Sequence, residues 1–248
     1  MTGDNSKSRM GLEVKQKQFN AAMELFDTRK IYKVFGRGVS TANISLQIYL
    51  LLLVWPVSLG PAKHILALIS AYIFTDFLNG LVHLYMDTND NYASIAGPLI
   101  AAFHLHHRTP VYKNNTVPAV YFNETGSKIW LVFYLSGAAF LINKGLINPF
   151  VSHVLAYTGI LSSAAEVSHY LAHNKHSGIV NVLRGAGLLL PTKHHARHHL
   201  RDNVSYTFLN GFTDPLVDMI AKRYFNGYKT TTDLHYVRYT GAGTENRG

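Results

Sequence analysis

Fourteen histidines occur in a 248-residue chain that has no cysteine, and ten of them fall into four tight groups. His83 is followed four residues later by Asp87. His104, His106 and His107 form a second group, His169 and His173 a third, and His194, His195, His198 and His199 a fourth. Residues three or four apart share a helix face, with Cβ atoms about 5–6 Å apart. His83/Asp87, His169/His173 and His195/His198/His199 can therefore each chelate an ion without rearranging a helix, and Glu166 shares the face of His169. Without thiols, the ligands must be nitrogen and oxygen. One zinc ion takes three or four ligands, and nine or ten candidates exceed that. Two ions with about four or five ligands each fit the count better. Iron is the imidazole-binding metal that would give such a site oxidative chemistry.

These groups need elements that gather them, and the composition says what those are. Hydrophobic residues make up 48% of the chain and charged residues only 15%, against roughly 25% charged in soluble domains. No Asp, Glu, Lys or Arg occurs between Arg37 and Lys63, nor from Gly145 to Ala165. Charge-free runs of about twenty residues match the length of a transmembrane helix. The expected fold is all-α, an integral membrane bundle of about four transmembrane helices with a cytosolic histidine-rich cap. The spans are Ile44–Leu59, Ala62–Tyr85, Ile129–Ile142 and Phe150–Leu171. Ser94–Phe103 is too short to cross and is interfacial or re-entrant, and the shorter segment Gly178–Leu190 lies along the interface. The chain divides into a charged cytosolic arm (1–40), a membrane domain (41–225) and a polar C-terminal tail (226–248).

Net charge is +9, with eight of the 23 Lys and Arg in the first forty residues and ten after residue 174. Basic ends that flank apolar spans follow the positive-inside pattern, not the basic stripe of a nucleic-acid module. The N-terminal side is then cytosolic. An even number of crossings separates the arm from each histidine group, so all four groups reach one face. Lys128 and Lys144 bracket the third span and are placed to snorkel. Asn148-Pro149 starts the fourth. His64, His153 and His235 read as structural, and His104 and His176 receive no role. Asp76 lies two turns before His83 and reads either as an acceptor for a ligating imidazole or as a structural hydrogen-bond partner of another span. Asp214 and Asp218 read as solvated surface residues, and Lys193, Arg197 and Arg201 as interfacial anchors.

Several segments together resemble the Kua-type lipid desaturase family, which includes plasmanylethanolamine desaturase and a plastid phosphatidylglycerol desaturase. They are Asp76-Phe77-Leu78-Asn79-Gly80-Leu81-Val82-His83 with Asp87, Phe103 through His106-His107 to Pro110, His169-Tyr170-Leu171-Ala172-His173, and Leu190 through His194-His195-Ala196-Arg197-His198-His199. The resemblance covers roughly residues 70 to 225. His104, Leu84 and the length of chain between Pro110 and Glu124 depart from the family pattern. The resemblance implies a membrane-bound, non-haem di-iron desaturase that uses O2 on a phospholipid chain. The chain would be an ether-linked alkyl chain, yielding a vinyl ether, or an acyl chain. It implies His83, His106, His107, His169, His173, His195, His198 and His199 as ligands. Asp87 and His194 would be ligands or direct partners of ligands, with catalytic roles. Electrons would come from a cytochrome b5-like or ferredoxin-like donor, and no nucleic acid is involved. The host membrane would be the endoplasmic reticulum in a eukaryote or the inner membrane in a bacterium. A di-iron lipid hydroxylase is the first alternative, and a non-enzymatic metal transporter or sensor the second.

Overall fold

The structure is a computed structural model that describes residues 2–108, 111–174 and 178–240, with side chains from Met10 onward. Pro110 and His176 lie outside the described residues. The chain is helical, with no strand among the described residues. In order come α1 (Thr2–Thr28), α2 (Lys30–Val54), α3 (Pro61–Thr88) and α4 (Gly97–His104). A 3-10 turn at Leu105–Arg108 precedes α5 (Val117–Thr125), α6 (Ile129–Asn143), α7 (Pro149–His173) and α8 (Gly178–Gly185). Then follow α9 (Thr192–Leu200), α10 (Asp214–Tyr224) and a 3-10 turn at Thr232–Leu234.

Two pairs of parallel helices form the bundle. Thr75 Oγ1 donates to Thr158 O, and Asn79 Nδ2 to Ser162 Oγ. Both partners advance together by four residues, so α3 and α7 run in the same direction. Asn43 bonds Lys128 O, and Tyr49 meets Asn143, so α2 and α6 likewise run together. The short 55–60 connection turns α3 back on α2. In consequence α3 and α7 deliver their C-terminal turns, and with them His83, Asp87, His169 and His173, to the same end.

The helix starts follow local chemistry. Asn148 Oδ1 accepts the Val151 N–H at 3.0 Å ahead of Pro149, as the sequence suggests. Pro61 opens α3 after Gly60, whose φ of 73° favours glycine. The first apolar helix ends at Val54, not at Leu59 as expected: Trp55 still donates its N–H to Leu51 O, but Pro56 has no N–H with which to continue the ladder. It begins earlier too, at Lys30, and α1 extends helix almost to the N-terminus.

Helices α2 and α3 are long and apolar enough to cross a bilayer. The pair α5 and α6, bent by 86°, qualifies if it is one broken span. The molecule is thus a membrane protein with two or three candidate spans. The fourth expected span, α7, has the length at 25 residues but not the hydropathy. Its inner side carries Ser152, His153, Ser162, Ser163 and Ser168, all buried, together with Glu166. Those groups are spent inside the bundle. Gln47 Nε2 donates to Gly159 O and Ser163 Oγ, and Ser168 Oγ to Leu209 O.

Lys128 overturns a reading of the sequence. It does not snorkel: it is 4% exposed, and its Nζ donates to Asn79 Oδ1 and Ser162 O at 2.6 Å and pairs with Glu166 at 3.0 Å. The sharp bend between α5 and α6 turns it inward. Lys144, at the other end of α6, is exposed as expected.

The basic arm is also part of the packed structure. Phe19, Ala22 and Met23 of α1 are buried against Ile100, Ala101, Ala102 and Leu105, and against Tyr92, Tyr236 and Tyr239. This apolar layer backs the segment that carries His106 and His107.

Candidate metal centre

Nine of the ten sequence-nominated residues converge in two adjoining groups. The first comprises His83, Asp87, His106, His107 and His198; the second comprises His169, His173, His195 and His199. Within each, one ligand atom per residue lies within 4.8 Å of all the others. The groups share a wall: ring centroids of His106 and His199 are 5.4 Å apart, and those of His107 and His199 5.3 Å. The nine-residue helix α9 joins them. One face of it was expected to serve one ion, but His198 turns to the first group while His195 and His199 turn to the second.

The geometry asks for cations. In the second group, His195 Nε2 lies 3.0 Å from His169 Nε2, 2.8 Å from His173 Nε2 and 2.9 Å from His199 Nε2. In the first, His107 Nε2 and His198 Nε2 are 3.1 Å apart, and His83 Nε2 and His106 Nε2 3.4 Å. Nitrogens about 2.0–2.1 Å from one shared ion stand about 3.0–3.4 Å from each other. Asp87 is fully buried, and neither carboxylate oxygen has a hydrogen-bond partner among the described residues. His83, His107 and His198 present Nε2 to it at 3.6, 3.4 and 3.3 Å. A buried carboxylate without donors, ringed by imidazole nitrogens, suits a ligand set better than a structural element. The residues therefore fit a metal pair.

The opposite ring nitrogens explain why Nε2 faces inward. His83 Nδ1 donates to Tyr206 O at 2.7 Å, and His106 Nδ1 to Phe103 O at 2.7 Å. His107 Nδ1 donates to Asp233 Oδ1 at 2.8 Å, and His198 Nδ1 reaches Val204 O at 3.3 Å. Placing the proton on Nδ1 leaves Nε2 a lone pair for metal. Two of these acceptors come from a strained turn. Ser205, at φ 60°, aims Val204 O and Tyr206 O at His198 and His83. Asp218 holds that turn by accepting the Ser205 N–H at 2.7 Å.

Each group also has a carboxylate relayed to a lysine. Lys229 pairs with Asp233 at 2.8 Å, and Asp233 contacts His107. Lys128 pairs with Glu166, whose other oxygen is 3.7 Å from His169 Nδ1. The sequence does not reveal Lys229 and Asp233 as part of the centre, because they sit in a polar stretch that reads as tail. That stretch instead folds over the first group: Thr232 Oγ1 donates to Asp87 O at 2.6 Å, and Tyr228 is buried with its ring 4.5 Å from that of His107.

Other expectations change role. His194 joins neither group. Its Nε2 is bound to an Asp214 oxygen, because α9 faces α10 on that side. Asp214 is therefore no solvated residue: it is 3% exposed and also accepts the Thr207 N–H at 2.8 Å. Among the described residues Asp76 meets no imidazole. It accepts the N–H groups of Asn210, Gly211 and Thr213, tying down the loop that leads into Asp214. His104 is buried beside the centre, bonded to Tyr92 Oη and Met86 O, and His235 shares that Tyr92 hydroxyl. His153 bonds Pro149 O and His64 Gly60 O, as structural residues should.

Burial, reinforced by neighbouring imidazoles, pushes His106, His107, His195 and His198 well below the usual histidine value, and burial pushes His199 down to about 4. In the unfolded chain these rings take up protons near 6.5. The unfolded state then binds more protons, so folding stability is full above pH 6.5 and falls as pH drops towards about 4. Chelator-treated protein in detergent is expected to show a melting temperature that is flat above about pH 6.5 and declines steadily below it. A flat profile down to pH 4 would mean that the rings are not buried as described.

No curated protein and no solved structure matches this chain at a significant level. A family model does: all nine residues of the two histidine groups fall inside residues 72–226, which match the lipid desaturase domain. That match spans more than half of the sequence, and with it the chain belongs to the lipid desaturase domain family, the Kua-type lipid desaturases.

Proposed function

We propose that this protein is a two-iron, O2-dependent desaturase of a phospholipid chain. The supporting observation is the pairing of two adjoining imidazole-rich groups at the common end of α3 and α7, inside a lipid desaturase domain and beside membrane-spanning helices. The first group would hold one ion through His83, Asp87, His106, His107 and His198. The second would hold the other through His169, His173, His195 and His199.

Iron held by these residues would supply the redox chemistry by which O2, two external electrons and two protons remove two hydrogens from neighbouring carbons, leaving a double bond and two waters. The chain's own residues provide the rest. Tyr206 O, Phe103 O and Asp233 hold His83, His106 and His107 in the tautomer that leaves Nε2 free. Asp87 contributes the negative charge that makes the first group the more electron-rich of the two. Tyr206, Tyr228 and Phe208 are buried against the imidazole rings and keep bulk water out. A buried site at the end of membrane helices lets an alkyl chain approach from the bilayer without crossing water.

The basic arm and the basic stretch after residue 174 support a cytosolic orientation for the metal end, with α7 as a further crossing. A cytosolic site suits a cytochrome b5-like or ferredoxin-like electron donor. The decisive experiment joins metal analysis of the purified protein to lipid mass spectrometry of cells with and without the gene. About two irons per chain, and lipids two mass units lighter in the presence of the gene, are expected. Hydroxylated lipid as the sole product, or metal flux in proteoliposomes without any lipid product, would overturn the desaturase.

A further inference from the structure

Beside the second histidine group, a cleft of about 740 Å³ opens between the end of α7, helix α8 and the start of α9. His173 forms part of its wall, with Asn114, Asn174, Asn181, Arg184 and Thr192. Among the described lining residues, Arg184 is the one Lys or Arg, and none is Asp or Glu. The guanidinium is held in place: Nη1 donates to Asn181 Oδ1 at 3.3 Å, and Nη2 donates to Leu171 O. Its Nε is buried with no acceptor among the described residues, and so is Asn174 Nδ2. The Asn174 amide is fixed by its other end, where Oδ1 accepts the Tyr112 N–H at 3.1 Å.

Two buried donors without acceptors, next to a permanent positive charge, suit an anion rich in oxygen. The position of the cleft says which kind. Helix α8 has no buried residue, and its Ile179 and Val182 are 70% and 69% exposed. A short helix with such an uncovered apolar side lies along a membrane surface, at headgroup depth. We propose that the cleft holds the phosphodiester of the lipid substrate, with Arg184 as the binding group and the Asn174 amide as a second donor. This rests on the lipid-desaturase reading. Because His173 belongs both to the cleft wall and to the second histidine group, a headgroup bound here leads its chain directly to the metal centre. Arg184 thereby favours phospholipids over neutral lipids.

The test uses the full-length, metal-loaded protein in neutral detergent. A fluorescent diacyl phospholipid is compared with the diacylglycerol that lacks only the phosphate headgroup, and inorganic phosphate serves as competitor. Wild-type protein should bind the phospholipid about tenfold more tightly or better. Arg184→Gln should erase that preference while leaving diacylglycerol binding and metal content unchanged. Arg184→Lys should restore part of it, since the charge returns without the planar fork. Displacement of the lipid only by a large excess of inorganic phosphate supports a lipid headgroup. Phosphate binding with no preference between the two lipids overturns the lipid source, and an unaltered Arg184→Gln variant overturns the site. Turnover separates this from the parent reading. If the wild type makes no alkene, the desaturase falls; if it does and Arg184→Gln keeps its KM for phospholipid, only the headgroup site falls.

Discussion

Asp87→Asn is expected to lower metal content from about two ions per chain towards one and to cut desaturation at least about a hundredfold, because even partners outside the ligand shell are worth about 10–100-fold. The same substitution should make the metal-free protein more stable. Asp87 is buried with both oxygens unpartnered, held among neutral imidazoles at 3.3–3.6 Å. A carboxyl group buried without a partner is a cost to the empty fold, and an amide of the same shape removes about 1–3 kcal/mol of it. Opposite signs in the two states distinguish a ligand from a structural carboxylate. Iron analysis and thermal melting with and without chelator read both. A variant that keeps two irons and full turnover, or that melts earlier without metal, would remove Asp87 from the centre.

Neighbouring histidines on α9 should behave in opposite ways. His195 is the hub of the second group, with three Nε2 atoms at 2.8–3.0 Å from its own. His195→Ala should empty that group and lower turnover by more than about two orders of magnitude. His194→Ala removes only the bond to Asp214. That pair is partly exposed, so the loss is about 1–3 kcal/mol of stability, discounted for solvent screening. Metal content should stay at the wild-type level. Iron per chain measured for both purified variants decides the matter: equal losses would mean that His194 also serves as a ligand.

How far these roles are legible in the sequence depends on the range of the interaction. The pairs His83/Asp87 and His169/His173 are visible because four residues make one helical turn, whatever the rest of the chain does. Their arrival at one end follows from counting apolar stretches, and the parallel course of α3 and α7 agrees with it. The count itself is less secure. Helix α7 lies largely in a charge-free run, but it is polar on its inner side because it lines the bundle, so only two or three helices are apolar enough to qualify as spans. Lys128 misleads for a related reason. A lysine beside an apolar run normally reaches for headgroups, and only the 86° bend after α5 sends this one to Glu166 and Asn79.

The sequence alone therefore determined the candidate ligand types, their helical spacing, the membrane setting and the family, all of which rest on local composition and on motifs short enough to be read along the chain. Tertiary structure alone decided that α9 divides its histidines between two groups and that His194 leaves them for Asp214. It also decided that Asp76 anchors a loop, and that the 228–236 stretch closes the first group through Asp233 and Thr232. The physical reason is the same in each case. A side chain's partner is chosen by which helices pack together, and contacts across 20 to 145 residues leave no periodic trace in the residues that make them.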